Sequence, residues 1–118
     1  MIRAIEAVGA GDVASVGGKA ANLGEVLRAK IPLPSGFCVP AEVYARFVAS
    51  GAVATVLDST IALPEDALAR DLDGCSRAIR DAFRAQPVPE DVRAAVASAY
   101  EALAGERGPV AVRSSATA

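Results

Sequence analysis

Histidine is absent from the 118 residues, and its absence removes His-dependent catalytic triads, His-containing zinc sites and any phosphohistidine on this chain. Tryptophan is absent as well. With three Phe and two Tyr, stacking platforms for bases are hard to build, which disfavours single-stranded nucleic acid. The chain also lacks a basic excess: 12 Lys and Arg stand against 14 Asp and Glu, a net charge of −2. The electrostatic footprint that a phosphate backbone requires is missing, so neither DNA nor RNA is an expected partner. Cysteine is confined to Cys38 and Cys75, too few for a metal cage, and both are read as buried thiols in a reducing cytoplasm. Long apolar runs are missing too. Glu6 falls where a secretory apolar region would begin, and no 18 uncharged apolar residues follow one another, so a soluble, cytoplasmic protein without a membrane partner is expected.

What is present suits a single core. A chain of this length buries roughly two-thirds of the surface exposed when it is unfolded. The hydrophobic share of 53% overstates that core, because 27 of the residues counted are alanine. No repeat, linker or low-complexity tract divides the chain, and residues 1–118 are read as one unit.

Glycine and proline provide the punctuation. Ile2 to Ile5 reads as a short strand, and a turn-rich stretch over Gly9 to Asp12 follows. A helix is expected just after Lys19, with Leu23, Val26, Leu27 and Lys30 along its apolar stripe and Gly24 at a close approach to a strand. Asn22 and Glu25 can serve either the glycine loop or helix solvation. Pro32 and Pro34 end the helix, and Gly36 to Val39 reads as a buried strand. Pro40 and Glu42 open a second helix, with pairs Val43 and Phe47, Tyr44 and Val48, that stops at Gly51. Val53 to Ser59 leans to a short helix. Behind Pro64-Glu65-Asp66, the residues Leu68, Leu72, Cys75, Ile79 and Phe83 advance by fours and threes, which predicts one five-turn helix to about Gln86. Pro89-Glu90-Asp91 starts another, through Val92, Ala95, Val96, Ala99 and Leu103 to Gly105 and Gly108. Pro109 to Arg113 then reads as a strand with Val110 and Val112 on one face. The fold class is α+β, mostly helical with a few short strands.

Two nucleotide motifs near the N-terminus fail on context. Gly9-Ala10-Gly11-Asp12-Val13-Ala14 matches the dinucleotide fingerprint, but Gly17-Gly18 interrupts the helix it needs within one turn. Gly18-Lys19 lacks the earlier glycine of a P-loop, which falls at Val13, and its magnesium-binding hydroxyl, which falls at Ala20.

What remains is Gly17-Gly18-Lys19 before a helix. Two glycines admit close approach, free N–H groups at the helix start favour an anion, and the ammonium adds a mobile charge; phosphate is the natural guest. A flexible turn with a solvated lysine is the competing reading. With ten Arg and only two Lys in the chain, a lysine at this loop stands out. Arg113-Ser114-Ser115 is the second candidate, a guanidinium fork followed by two hydroxyls, against the alternative of a frayed polar end.

Taken together, Val16-Gly17-Gly18-Lys19-Ala20-Ala21-Asn22-Leu23-Gly24-Glu25, Pro34-Ser35-Gly36-Phe37-Cys38-Val39 and Val110-Ala111-Val112-Arg113-Ser114-Ser115-Ala116 closely resemble the N-terminal nucleotide-binding domain of the phosphoenolpyruvate synthase, pyruvate phosphate dikinase and rifampin phosphotransferase family. The resemblance spans nearly the whole chain in order. It implies the first part of an ATP-grasp domain, in an enzyme that splits ATP into AMP and two phosphates. The β-phosphoryl group passes to a histidine on a separate domain, and from there to pyruvate or rifampin.

By the resemblance, Lys19 matches the lysine that contacts nucleotide phosphates and Arg113 the arginine that clamps the triphosphate. Gly17, Gly18, Ala20, Ser114 and Ser115 complete the expected cofactor-binding set. ATP is the implied cofactor. Mg2+ belongs to the complete family domain, with its acidic ligands beyond Ala118, so no catalytic or metal-binding residue is expected here. Pro40 departs from the family, which commonly has threonine there. The resemblance implies a truncated, split or cut member, completed by downstream domains or a complementary chain and not turning over ATP alone. Two further readings stay open: a non-catalytic nucleotide-binding module that partners a full-length relative, and a helical interaction domain.

Overall fold

In a computed structural model, residues 1–103 and 109–117 are described. They form six helices and a two-stranded sheet, an α+β arrangement in which helix predominates. Two compact units emerge, Met1–Tyr44 with Glu90–Ala118, and Ala45–Pro89.

In the first unit, β1 (Arg3–Ala4) pairs antiparallel with β2 (Phe37–Cys38), Arg3 opposite Cys38 and Ala4 opposite Phe37. Both short strands fall within the stretches read from sequence. Two 3-10 turns, Ile5–Ala7 and Ala10–Asp12, lead into α1 (Val13–Arg28). Gly17 departs from helical backbone at φ 77° and ψ 161°, so α1 is a single leading turn followed by the main helix. This left-handed value is one that L side chains rarely adopt. The core gathers Ile5, Val8, Val16, Ala20 and Ala21, with Leu27 and Cys38 packed against it.

Past Gly17 the fully buried positions of α1 are small residues, and the expected stripe is corrected in part: Leu23 is 37% exposed, while Ala20, Ala21 and Gly24 are buried and Leu27 packs against the core. Small side chains let the helix sit directly on backbone. A Cβ on Gly24 would strike the Val8 carbonyl oxygen and lie 2.9 Å from that of Ile5, so the close approach is made, but to the Ile5–Ala7 turn and the residue after it and not to a strand.

The Gly9 to Asp12 stretch is closed by side chains. Asp12 accepts from the Gly9 N–H at 2.9 Å and from Arg3 at 2.7 Å, and Glu25 accepts from the Ala10 N–H at 2.8 Å while pairing with Arg28 at 2.6 Å. Glu25 thus serves this earlier stretch and not the Gly17-Gly18 loop, and the N–H groups of Gly9 and Ala10 are already taken. Further along, α2 (Ala41–Val48) follows Pro40, and α6 (Glu90–Leu103) buries Val92. The expected helix stop at Gly105 and Gly108 lies outside the described residues.

The second unit packs α3 (Gly51–Ile61) against α5 (Leu72–Ala85), with Val53 fully buried and the rings of Phe47 and Phe83 5.8 Å apart. Gly51 opens α3 rather than ending α2, which stops at Val48. The single helix expected from Pro64 to Gln86 is corrected as well: α4 (Glu65–Arg70) ends at Asp71, whose side chain accepts from the Gly74 N–H at 3.1 Å and caps α5. An Asp offering that local bond competes with helix continuation. The break rotates Leu72 out to 59% exposure, leaving Cys75, Ile79 and Phe83 half-buried.

Candidate functional site

The site is built from two segments of the first unit that lie far apart in the chain. Its floor is the restart of α1 after Gly17. A helix start leaves N–H groups without intrahelical partners, and here the end of the described chain supplies them. The Gly18 N–H donates to the Ala116 carbonyl at 3.1 Å, and the Ala20 N–H donates to Ser115 Oγ at 3.2 Å. The Lys19 ammonium donates to the Ser114 carbonyl at 2.7 Å.

Gly17 is required in two ways. Its positive φ suits glycine, and a Cβ there would strike Ser115 Oγ and come within 2.6 Å of the Ala116 carbonyl oxygen.

Of the seven residues singled out from sequence, Gly17 and Ala20 therefore meet Ser115 and Lys19 meets Ser114, while Gly18 meets Ala116. Arg113 is the next residue upstream of the carbonyl that Lys19 holds. It is exposed and makes no ion pair among the described residues. Ala116 was missed by sequence reasoning, because it contributes through its backbone carbonyl, which no side-chain motif announces.

Two expectations change. The N–H groups of Gly18 and Ala20 are not free for an anion, since the 115–116 segment already occupies them. Residues 109–113 form no strand: Val110 is 52% and Val112 92% exposed. Alternating valines make a strand only where a neighbouring strand accepts their backbone bonds, and the only sheet among the described residues pairs β1 with β2.

The residues left for a phosphate are the exposed Lys19 ammonium, which keeps two donors after its bond to Ser114, and the Arg113 fork. That donor set fits a polyphosphate chemically. Among the described residues no group of three or more acidic or thiol side chains stands close enough to hold a metal ion, and no helix is long and apolar enough to cross a membrane. Cys38 and Cys75 are both free thiols and half-buried. Burial raises the Cys38 thiol above its ordinary pKa.

Comparison with known proteins gives the family of the chain. Residues 13–118 match the family described as pyruvate phosphate dikinase, AMP/ATP-binding domain. The chain is 37% identical over 117 residues to a probable phosphoenolpyruvate synthase of Methanothermobacter thermautotrophicus, a match covering 96% of this chain and 17% of the relative. A phosphoenolpyruvate synthase of Aeropyrum pernix is 43% identical over 112 residues, covering 86% of this chain and 13% of that protein. A rifampicin phosphotransferase of Streptomyces is 36% identical over 115 residues, covering 97% and 13%. The chain thus spans less than a fifth of the length of these relatives.

Proposed function

Because the chain belongs to the pyruvate phosphate dikinase AMP/ATP-binding domain family, we propose that it is the ATP-binding portion of a dikinase-type phosphotransferase. In this reading residues 1–118 are the first part of an ATP-grasp domain working in the cytoplasm. ATP is split to AMP, and the β-phosphoryl group reaches pyruvate or rifampin through a phosphohistidine on another domain or a complementary chain. The phosphoenolpyruvate synthases and the rifampicin phosphotransferase among its relatives support both acceptors.

The observation that carries the reading is the bond from Lys19 to the Ser114 carbonyl at 2.7 Å. Two segments 95 positions apart have no reason to meet there if each only decorates a surface. Lys19 and Arg113 hold the polyphosphate as charges, while Gly17, Gly18, Ala20, Ser114 and Ser115 shape the loop. Phosphoryl transfer depends mainly on such positioning and charge stabilisation. Bound Mg2+ would neutralise phosphate charge, with ligands from outside this chain.

NMR titration with ATP tests the reading. The amides of Gly17 to Ala21 and of Arg113 to Ser115 should shift, and Lys19→Ala or Arg113→Ala should abolish the shifts. Unchanged spectra at millimolar ATP overturn it.

One observation favours a second reading, a non-catalytic module that partners a full-length relative. Two N–H groups at the helix start are already satisfied within the protein, so nucleotide is held by side-chain charge alone. Under that reading the chain binds its relative when mixed with it but adds no phosphotransfer.

A further inference from the structure

We propose, building on the nucleotide-binding reading above, that Ser115 is the positioning residue of this site: its hydroxyl caps the start of α1 from 95 positions away and so holds the segment that carries Arg113 against Lys19, whose ammonium bonds the Ser114 carbonyl.

A helix start is ordinarily capped by a side-chain oxygen on the residue just before it. Here that residue is Gly17, which has no side chain. The oxygen comes instead from Ser115, whose Oγ accepts from the Ala20 N–H at 3.2 Å, the kind of bond a local serine cap makes. Gly17 and the cap fit each other, because the space a Cβ would take is filled by Ser115 Oγ and the Ala116 carbonyl. With Ala116 on Gly18 and Ser114 on Lys19, three successive residues grip three successive residues.

Two consequences follow for a phosphate. The Lys19 ammonium is held by one bond and keeps two donors for a ligand. Arg113, exposed, precedes the residue whose carbonyl Lys19 holds. A phosphate that takes both charges at once favours the docked segment, so phosphate binding and docking of residues 114–116 strengthen one another. That reciprocity is required of any two linked equilibria. Ser115 touches no phosphate in this scheme. It acts through the helix start and through the two charges.

The test uses the whole chain, with ATP as the probe, and compares Ser115→Ala with Ser115→Thr, which keeps the hydroxyl. Without ligand, the Ala20 amide should exchange its hydrogen about two- to tenfold faster in the alanine variant, the worth of one net hydrogen bond, and near the wild-type rate in the threonine variant. ATP should bind the alanine variant about two- to tenfold more weakly, with affinity restored by threonine. A merely structural role would lower the urea midpoint and leave ATP affinity unchanged. Unchanged exchange at Ala20, equal ATP affinity in wild type and Ser115→Ala, or a weakened affinity that threonine does not restore overturns the positioning role and leaves the nucleotide reading standing. Failure of the wild-type chain to bind ATP overturns the nucleotide reading, and the positioning role falls with it, even if exchange at Ala20 responds as expected.

Discussion

At Gly24 a single methyl group has nowhere to go. Alanine in place of glycine inside a helix ordinarily gains up to about 1 kcal/mol, yet a Cβ here would meet the Val8 carbonyl, a backbone atom that cannot rotate aside. The collision outweighs the propensity gain, and Gly24→Ala should destabilise the chain by about 1–3 kcal/mol in urea or thermal unfolding; a rise in stability would show that α1 stands further from the Ile5–Ala7 turn. Leu72 presents the opposite case. Periodicity places it on a buried stripe, where alanine costs about 2–5 kcal/mol, but at 59% exposure it has little to lose. Leu72→Ala should therefore change stability by no more than about 0.5 kcal/mol, the scale of ordinary surface sites. A loss several times larger would return Leu72 to the core.

Elements were legible wherever local signals agreed. Pro-then-acid starts mark α4 and α6, apolar spacing marks α2, and Gly36 to Val39 encloses β2. Legibility failed where one side chain overrode the period. The stepping from Leu68 to Phe83 continues through Asp71, and only the cap it makes to Gly74 ends one helix and begins the next. The start of α3 was opaque for a related reason, since its partner is distant in sequence. Gln86 Oε1 accepts from the Val53 N–H at 2.9 Å while its Nε2 donates to the Phe47 carbonyl at 2.8 Å. One amide thus satisfies a donor at the start of α3 and the carbonyl of Phe47 near the end of α2, work that no local motif signals. Gln86→Ala should cost about 1–2 kcal/mol, the usual loss for a helix cap, whereas Gln86→Glu keeps the acceptor for Val53 and gives up the donor to Phe47. Urea denaturation of the two variants should rank them glutamate above alanine; equal midpoints would mean that the bond to Val53 contributes nothing.

For the molecule as a whole, the two ends of the candidate site were legible as motifs, at Gly17 to Ala20 and at Arg113 to Ser115. Their mode of meeting was not, because Ala116 acts through its backbone and Ser115 through a bond spanning most of the chain. Polar contacts and burial within the first unit govern how stability responds to pH. Asp12 is held below the usual carboxylate range by its bond from Arg3 and then by the Gly9 N–H. Glu42 is lowered by its own backbone N–H and then by the Ser15 hydroxyl, which donates at 2.9 Å. A carboxyl depressed in the folded state contributes stability that is complete above its ordinary, unfolded value. As pH falls toward the depressed value, the unfolded chain binds the proton first and that contribution is lost. Cys38 acts at the other end: burial raises its thiol, so its contribution is present below the ordinary thiol range and is lost as pH rises through the raised value. Stability should therefore form a plateau near neutrality with an acid shoulder and an alkaline one. Urea midpoints measured across pH should show Asp12→Asn making the acid shoulder shallower, with the Glu42 part left in place, and Cys38→Ala flattening the alkaline shoulder. An acid limb as steep in Asp12→Asn as in the wild type would mean that the Arg3 bond, and with it the closure of the Gly9 to Asp12 loop, does not persist in solution.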